Sequence, residues 1–411
     1  MYYIIFTGTI IRMGGAQMYI SNKVQYMKKL GWNLQVFSGL NGQVLLHNLE
    51  EYRDMIIPEL EYFPNYYSNR DRERIVNKLL NLIGPHNKGE VVIESSTDHM
   101  AAWAEIVAEK LHGKHFAFLL DERFGFDRGY LDFFRFKLNR HELALISSKS
   151  LSILFGKEFV ENEDTVLSAS CNNVTEDISN PRFDAIPYNQ YDAVICSLGR
   201  LNKEYIPTVI SGFRDFAVAH LDKKIAYVFI GDQPEGFVPD MRQEIQNALA
   251  GIENVSVYQM GYVYPIPLNF FEHLDVGVAS AGSSRVVWNK RIPTISMDAK
   301  DGKPIGILGY TTLNTLYHEN EERKSLKEFL DIILFSDTLS KLEFTPYDIE
   351  PYDENFKKHM SFISKMSAER KYYDVLSVKF QNKDSKLKKM AISSLGLKKY
   401  KTLKAKLIHR G

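Results

Sequence analysis

Two doubly wound α/β domains in tandem are predicted, on three observations. Short continuous apolar runs alternate with stretches of helical period along most of the chain. That alternation restarts at Tyr191, after a polar stretch without periodicity. The 411 residues also exceed what one ordinary core accommodates.

The elements follow in order. Tyr3 to Phe6 is a short apolar run, as in strands buried on both faces. A glycine-bearing loop, Thr7 to Gly15, comes next. Ala16, Ile20, Val24, Met27 and Leu30 then recur at helical spacing until Gly31 stops the helix, and Leu34 to Phe37 is the next strand. This βαβ unit favours a parallel sheet with a right-handed crossover. Val91 to Ile93, Phe116 to Leu120 and Leu143 to Ser147 extend the strand series, with a helix from Met100 to Leu111. Residues 165–190 contain Asn172, Asn173, Pro181 and Pro187 and read as the interdomain linker.

The second series opens with a strand at Ala193 to Ser197 and a helix from Ile206 to Leu221. Ile225 to Ile230 is a strand and Met241 to Leu249 a helix. Val255 to Tyr258, Val276 to Ala279 and Ile292 to Ser296 continue the strands. Helices from Ser325 to Phe335 and from Glu354 to Lys379 close the pattern. The expected division is an N-terminal domain over 1–185, a C-terminal domain over 190–350, a long helix over 351–380 packing back toward the first domain, and a basic amphipathic tail over 381–411.

Composition narrows the function. Lys plus Arg and Asp plus Glu number 51 each, so no overall field argues for nucleic acid. Cys171 and Cys196 alone make no disulfide framework or metal-ligand spacing, which points to a reducing cytoplasm. Tyr2 to Phe6 has no basic segment before it and reads as a strand rather than a signal peptide. No apolar run nears the roughly 20 residues of a spanning helix. The expected location is cytoplasmic, at most peripheral on the inner face of a membrane.

Ligands of open parallel sheets bind beyond the carboxyl ends of strands, which directs attention to the loops there. Gly14 and Gly15 open the first helix, either as a tight connection or as a backbone that a ligand approaches closely. Glu94-Ser95-Ser96-Thr97-Asp98-His99 and Asp121-Glu122-Arg123 are polar clusters after strands. Asp98 is a helix cap or a site group, and His99, Asp121 and Glu122 are candidate catalysts or solvated loop residues. Gly199-Arg200-Leu201-Asn202-Lys203 suits a pyrophosphate, Arg200 as a planar fork of donors and Lys203 as a point charge. Tyr262 either stacks on a base or packs, and Ser280-Ala281-Gly282-Ser283-Ser284 offers hydroxyls and amides to a diphosphate or sugar.

In this order the motifs resemble the family 4 type of GT-B glycosyltransferases, across most of residues 1–330. The resemblance is carried by Gly14-Gly15-Ala16-Gln17, Gly199-Arg200-Leu201, Gly231-Asp232, Gly261-Tyr262-Val263, Ser280 to Ser284, and Pro293 in the strand after Lys290-Arg291. It implies two Rossmann-like domains facing a central cleft, with C-terminal helices crossing back. It also implies a hexosyltransferase that needs no metal and no cofactor. The partners would be a nucleotide-diphosphate sugar as donor and a glycan or lipid-linked acceptor, as in surface polysaccharide assembly. The donor site falls in the C-terminal domain, where Arg200 and Lys203 would hold the diphosphate. The sequence departs from the family between Ala281 and Ile295, where its usual glutamate pair is missing. Ser283, Ser284, Thr311 and Thr312 are the candidates to replace it. A sugar-nucleotide epimerase and a non-catalytic scaffold of the same architecture are the alternatives.

From Lys383 to Arg410 lysines interleave with Leu387, Ile392, Leu395, Leu397, Leu403 and Leu407, and Asp384 is the lone acid. The pattern suits either an anionic membrane surface or a solvated, partly helical tail.

Overall fold

A computed structural model describes residues 1–11, 13–85, 90–120, 127–156, 165–171, 174–234, 236–346 and 352–408. The chain divides into two units, Met1–Ala169 with Pro351–Gly411, and Ser170–Glu350.

The first unit is built on a parallel sheet of β1 (Tyr2–Thr7), β2 (Asn33–Ser38), β3 (Val91–Ser95), β4 (Lys114–Leu119) and β5 (Leu143–Leu145), ordered β2-β1-β3-β4-β5. Its helices are α1 (Gly15–Lys29), α2 (Asn69–Ile83), α3 (Asp98–Leu111), α4 (Leu131–Asn139) and α5 (Ser148–Phe155). In α3, Ala101, Ala102, Ala104 and Ala108 surround Trp103, all fully buried. These small side chains let the helix lie close to the sheet, and Trp103 Nε1 donates to the Tyr62 carbonyl at 2.7 Å. Between β2 and β3 the chain forms the 3-10 segments His47–Met55, Pro58–Glu61 and Pro64–Tyr66 before α2. Pro58 and Pro64 sit at helix starts, where a missing N–H costs nothing. Ser68 caps α2 by accepting from the Asp71 amide at 3.2 Å, and Ile75, Val76, Leu79 and Ile83 bury its inner face.

The second unit carries a six-stranded sheet in the order β13-β12-β11-β7-β8-β9. The strands are β7 (Ala193–Leu198), β8 (Ile225–Ile230), β9 (Val255–Gly261), β11 (Val276–Ala279), β12 (Thr294–Met297) and β13 (Pro304–Ile307), and only β13 runs antiparallel. A small pair, β6 (Thr175–Glu176) and β10 (Ile266–Pro267), lies outside it. Ile195, Tyr227 and Phe229 join the core under α7 (Ile206–Ala219), α8 (Met241–Leu249) and α11 (Leu326–Leu334). Val194, Cys196, Val228 and Ile230 join the opposite core, with α6 (Pro181–Asp184), α9 (Leu268–Phe271) and α10 (Gly282–Trp288). A sheet buried on both faces produces the unbroken apolar runs seen in the sequence.

Two expectations are corrected. The chain passes between units at Ala169 and Ser170, early in the polar stretch read as a linker. Within that stretch Phe183 and Ile186 are buried in the second unit, two apolar anchors masked by their polar neighbours. The helix expected from Glu354 to Lys379 ends at Lys365 as α12 (Tyr352–Lys365). Residues 366–382 instead run irregularly along the first unit, because its groups capture their backbone. Asn65 Nδ2 donates to Val375 O at 2.8 Å, Glu105 accepts from Tyr373 N at 2.7 Å, and Asp127 accepts from Gln381 N at 2.7 Å and Asn382 N at 2.9 Å. The tail then forms α13 (Lys383–Leu395) and α14 (Leu397–Ile408), also in the first unit.

Candidate functional site

In the second unit the direction of winding reverses between β7 and β11, which pair from Val276↔Ile195 to Ala279↔Leu198. A ligand of such a sheet sits beyond the carboxyl ends of those two strands. The β7 loop is held rigidly. Gly199 N donates to Ile230 O at 2.9 Å, Gly231 N to Gly261 O at 2.9 Å, and Leu201 N to Asp232 O at 3.0 Å. Gly231 has φ +131°, and a Cβ there would stand 2.1 Å from Gly199 O, so only glycine fits. Gly199, at φ +153°, would meet Tyr205 Oη at 2.2 Å. Arg200 emerges half-buried from this turn, and its guanidinium has no hydrogen bond or ion pair among the described residues. Lys203 closes the turn with its amide on Arg200 O at 3.2 Å.

The β11 loop faces the same strand ends. Ala281 adopts φ 55° and ψ −130°, a conformation side chains avoid, at a cost of about 1–3 kcal/mol. Its amide is fixed on Thr315 O at 2.6 Å, which ties the segment after β13 to this loop. Among the described residues Ser280 Oγ is buried without a partner, as are Ser197 Oγ at the end of β7 and Asn202 Oδ1 in the Arg200 turn. Buried polar atoms of this kind cost about 1–3 kcal/mol each unless something else satisfies them.

The other candidates of this unit divide. Ser283 is half-buried in the first turn of α10, and Tyr262 is 37% exposed after Gly261. Ser284 is fully buried and gives its proton to Ala281 O at 2.7 Å. Thr311 Oγ1 accepts from Ile307 N at 2.8 Å. Thr312 Oγ1 donates to Glu321 at 2.8 Å and accepts from Asn314 N at 2.8 Å. Ser284, Thr311 and Thr312 thus hold turns together. Although partial burial opposes it, hydrogen bonds from Glu319 N, Thr312 and Asn314 bring the Glu321 carboxyl down to about 2.

In the first unit the winding reverses between β1 and β3. Gly14 and Gly15 lie there at the start of α1, with Thr97 at the N-terminal cap position of α3 and His99 in the first turn of that helix. Gly14, at φ 178°, is simply extended and caps α1, and Met18 N makes the first helical bond to its carbonyl at 2.9 Å. The amides before Met18 are therefore left for other acceptors. His99 Nδ1 lies 3.0 Å from Asp98 Oδ1, which also accepts the His99 amide at 2.7 Å, and the imidazole meets Phe63 edge to face. Asp121 and Glu122 lie outside the described residues.

Glu94, Ser95 and Ser96 do not form a polar cluster open to a ligand; all three are buried. Glu94 accepts from Tyr3 Oη and, at 2.5 Å, from Tyr19 Oη, and lies 3.6 Å from Lys23 Nζ. Lys23 Nζ is 3.2 Å from Nδ1 of His359 on α12. Burial lowers the His359 pKa well below its ordinary value, with Lys23 adding to the effect. A second buried network joins Glu105 to His115 Nδ1 at 2.6 Å and to Lys137 Nζ at 2.5 Å, with Glu142 at 3.1 Å from the same amine. Burial opposes ionisation of Glu105, yet Lys137 and His115 together hold its carboxyl low. Burial and the Lys137 charge push His115 down against the pull of Glu105. Among the described residues, no group of His, Cys, Asp and Glu is placed to hold a metal, and no helix is long and apolar enough to cross a membrane.

No protein-family model matches the sequence, and no curated protein matches it. Solved structures do resemble this one. Anabaena HepE in complex with UDP and glucose superposes with a TM-score of 0.55 at 14% identity, covering 89% of this chain and 95% of that one. The E. coli trehalose-6-phosphate protein bound with UDP-2-fluoro glucose gives 0.52 at 14% identity, over 89% and 96% of the two chains. A glycosyltransferase from Rickettsia africae gives 0.51 at 12% identity, over 89% and 94%. At such identities the likeness is one of architecture. It agrees with two doubly wound α/β units and with C-terminal helices that rejoin the first of them. The chain has the GT-B fold.

Proposed function

We propose that this chain is a glycosyltransferase that moves a hexosyl group from a nucleotide diphosphate to a glycan or lipid-linked acceptor, without a metal ion. One observation carries the reading: at the reversal point of the second sheet the half-buried guanidinium of Arg200 has no partner among the described residues. A guanidinium binds phosphate oxygens through two parallel N–H bonds, and here its own turn is already fixed. Support comes from the fold relatives, since Anabaena HepE holds UDP and glucose and the E. coli protein a UDP sugar. In the transfer the bond from the anomeric carbon to the diphosphate breaks and one to the acceptor oxygen forms. Arg200, with Lys203 nearby, stabilises the departing diphosphate, and Ser280 and Ser283 supply hydroxyls beside it. On the first unit His99, oriented by Asp98, is the group assigned to the acceptor hydroxyl or the reacting sugar, and Asp121 and Glu122 remain candidates for the same task.

A non-catalytic sugar-nucleotide binder is the second reading, favoured by the lack of any carboxylate between Ala281 and Ile295. Calorimetric titration with UDP and UDP-glucose tests the first. Arg200→Ala should weaken UDP by about ten- to a hundredfold, the worth of one charge-assisted hydrogen-bond set, without a change in melting temperature. Equal affinity for both proteins removes the assignment. Tight binding without hydrolysis or transfer in the wild type selects the second reading.

A further inference from the structure

The C-terminal hairpin of α13 and α14 has two apolar faces, and only one is covered. Ile392 is 2% exposed and sits in the core of the first unit, while Tyr400 packs edge to face on Tyr62 at 6.0 Å. Met390 lies two residues before Ile392, about 200° away around the helix. It is 67% exposed, and Leu387, one turn earlier on the same side, is 53% exposed. Leu395 at the end of α13 and Leu403 on α14 are also exposed, at 43% and 48%. Four large exposed apolar side chains within one short helical hairpin mark a contact surface.

The charge around this face is equally one-sided. Lys383, Lys386, Lys388, Lys398, Lys399 and Lys404 surround it, and among the described residues none of them has a carboxylate within ion-pair distance. Lys401 alone is paired, with Glu61 at 2.7 Å. An acidic protein groove or a nucleic acid would answer the lysines but leave four large apolar side chains in water. A neutral apolar partner would do the reverse. The headgroup region of an anionic bilayer satisfies both, with acyl boundary under the leucines and methionine and phosphates beside the ammonium groups.

We infer that the α13–α14 hairpin docks the first unit on an anionic lipid surface. The hairpin is held ready for it: Asp127 fixes the backbone of Gln381 and Asn382 just before α13, and Ile392 secures the inner face. The docking is independent of the proposed sugar transfer and is read without substrate.

Flotation of the full chain with vesicles tests it, using phosphatidylcholine alone and an equal mixture of phosphatidylcholine and phosphatidylglycerol. The protein should float with the mixture alone, and release as salt is raised. Lys386→Gln with Lys388→Gln should weaken binding on the order of twenty-five-fold, roughly fivefold per charge lost. Leu387→Glu with Met390→Glu should weaken it by about a hundredfold. Both variants should keep the wild-type melting temperature and UDP affinity, since the altered side chains face solvent. Failure of the wild type to float, or flotation that neither variant reduces, overturns the inference. So does a dimer in sedimentation that Leu387→Glu disperses while no vesicle binds, because a second copy would then be the cover. Binding to a single-stranded RNA that is tighter than to vesicles and indifferent to Leu387→Glu also overturns it.

Discussion

The two units use the same sheet architecture and differ in how much charge they bury. The first encloses Lys23, Glu94, Glu105, His115, Lys137 and His359, each within reach of another buried group, and Asp127, which accepts from the backbone amides of Gln381 and Asn382. In the second, among the described residues, Asp298 is the only charged side chain among the buried polar residues, and it serves as a turn acceptor for Lys300 N at 2.7 Å. Among the described residues both units have buried hydroxyls without a partner at strand ends, Ser38 in the first and Ser197 and Ser280 in the second, but only those of the second stand at its reversal point. Satisfied networks make structure specific, whereas unsatisfied groups near a reversal point are available to a ligand. By that criterion the first unit spends its buried charges on holding the C-terminal segment, and the hydroxyls at the reversal point of the second are the groups that the proposed donor would use.

The largest expected effect attacks the first half of this contrast. Glu94→Ala strands Lys23 and two tyrosine hydroxyls in a dry interior and should destabilise the first unit by about 3–5 kcal/mol in urea unfolding. A loss under about 1 kcal/mol would mean that the network is ornamental. Gly231→Ala should cost the second unit about 1–3 kcal/mol, since its Cβ collides with the Gly199 carbonyl. Loss of UDP affinity should accompany it if the Arg200 turn is the binding element.

Acid provides a milder distinction. His115 in the folded chain titrates below its ordinary value of about 6.5, so it binds fewer protons than when unfolded. The stability it contributes is present above that value and drains away as pH falls through it toward the lowered folded value. Glu105, also lowered, extends the loss through the carboxylate range. Hydrogen exchange between pH 7 and 4 should therefore show the Glu105–His115 region opening before the β7–β8 strands; simultaneous opening would contradict the assignment. The smallest effect belongs to Ser280→Ala. Removing an unpartnered hydroxyl should leave stability unchanged or raise it by up to about 1 kcal/mol, yet weaken UDP binding measurably.

Legibility in the sequence followed the same divide. The bounds of β8 and β11 are legible to the residue because a strand buried on both faces writes itself as an unbroken apolar run, and those of α8 because Met241, Ile245 and Leu249 recur every four residues. The segment between β2 and β3 was not read, although Ser68 three residues before Asp71 and the spacing of Ile75, Leu79 and Ile83 did announce α2. β13 escaped as a short antiparallel edge inside a glycine-rich stretch. Of the candidate site, the Arg200 turn is visible from its place after a strand. The lack of partners for Ser280 and the strain at Ala281 are not, since both depend on what lies across the fold. The Glu94 network was invisible for the same reason: Tyr3, Lys23 and His359 meet only after the sheet and α12 are assembled.

One consequence of the split first unit concerns birth on the ribosome. All of Ser170–Glu350 has been synthesised before α12 exists, so the second unit can close while the first still lacks His359, the amides that Asp127 and Glu105 accept, and the Ile392 anchor. The usual order, N-terminal part first, is thereby inverted. A nascent chain stalled with residue 350 just outside the exit tunnel should resist protease in its later half and be cut in its earlier one.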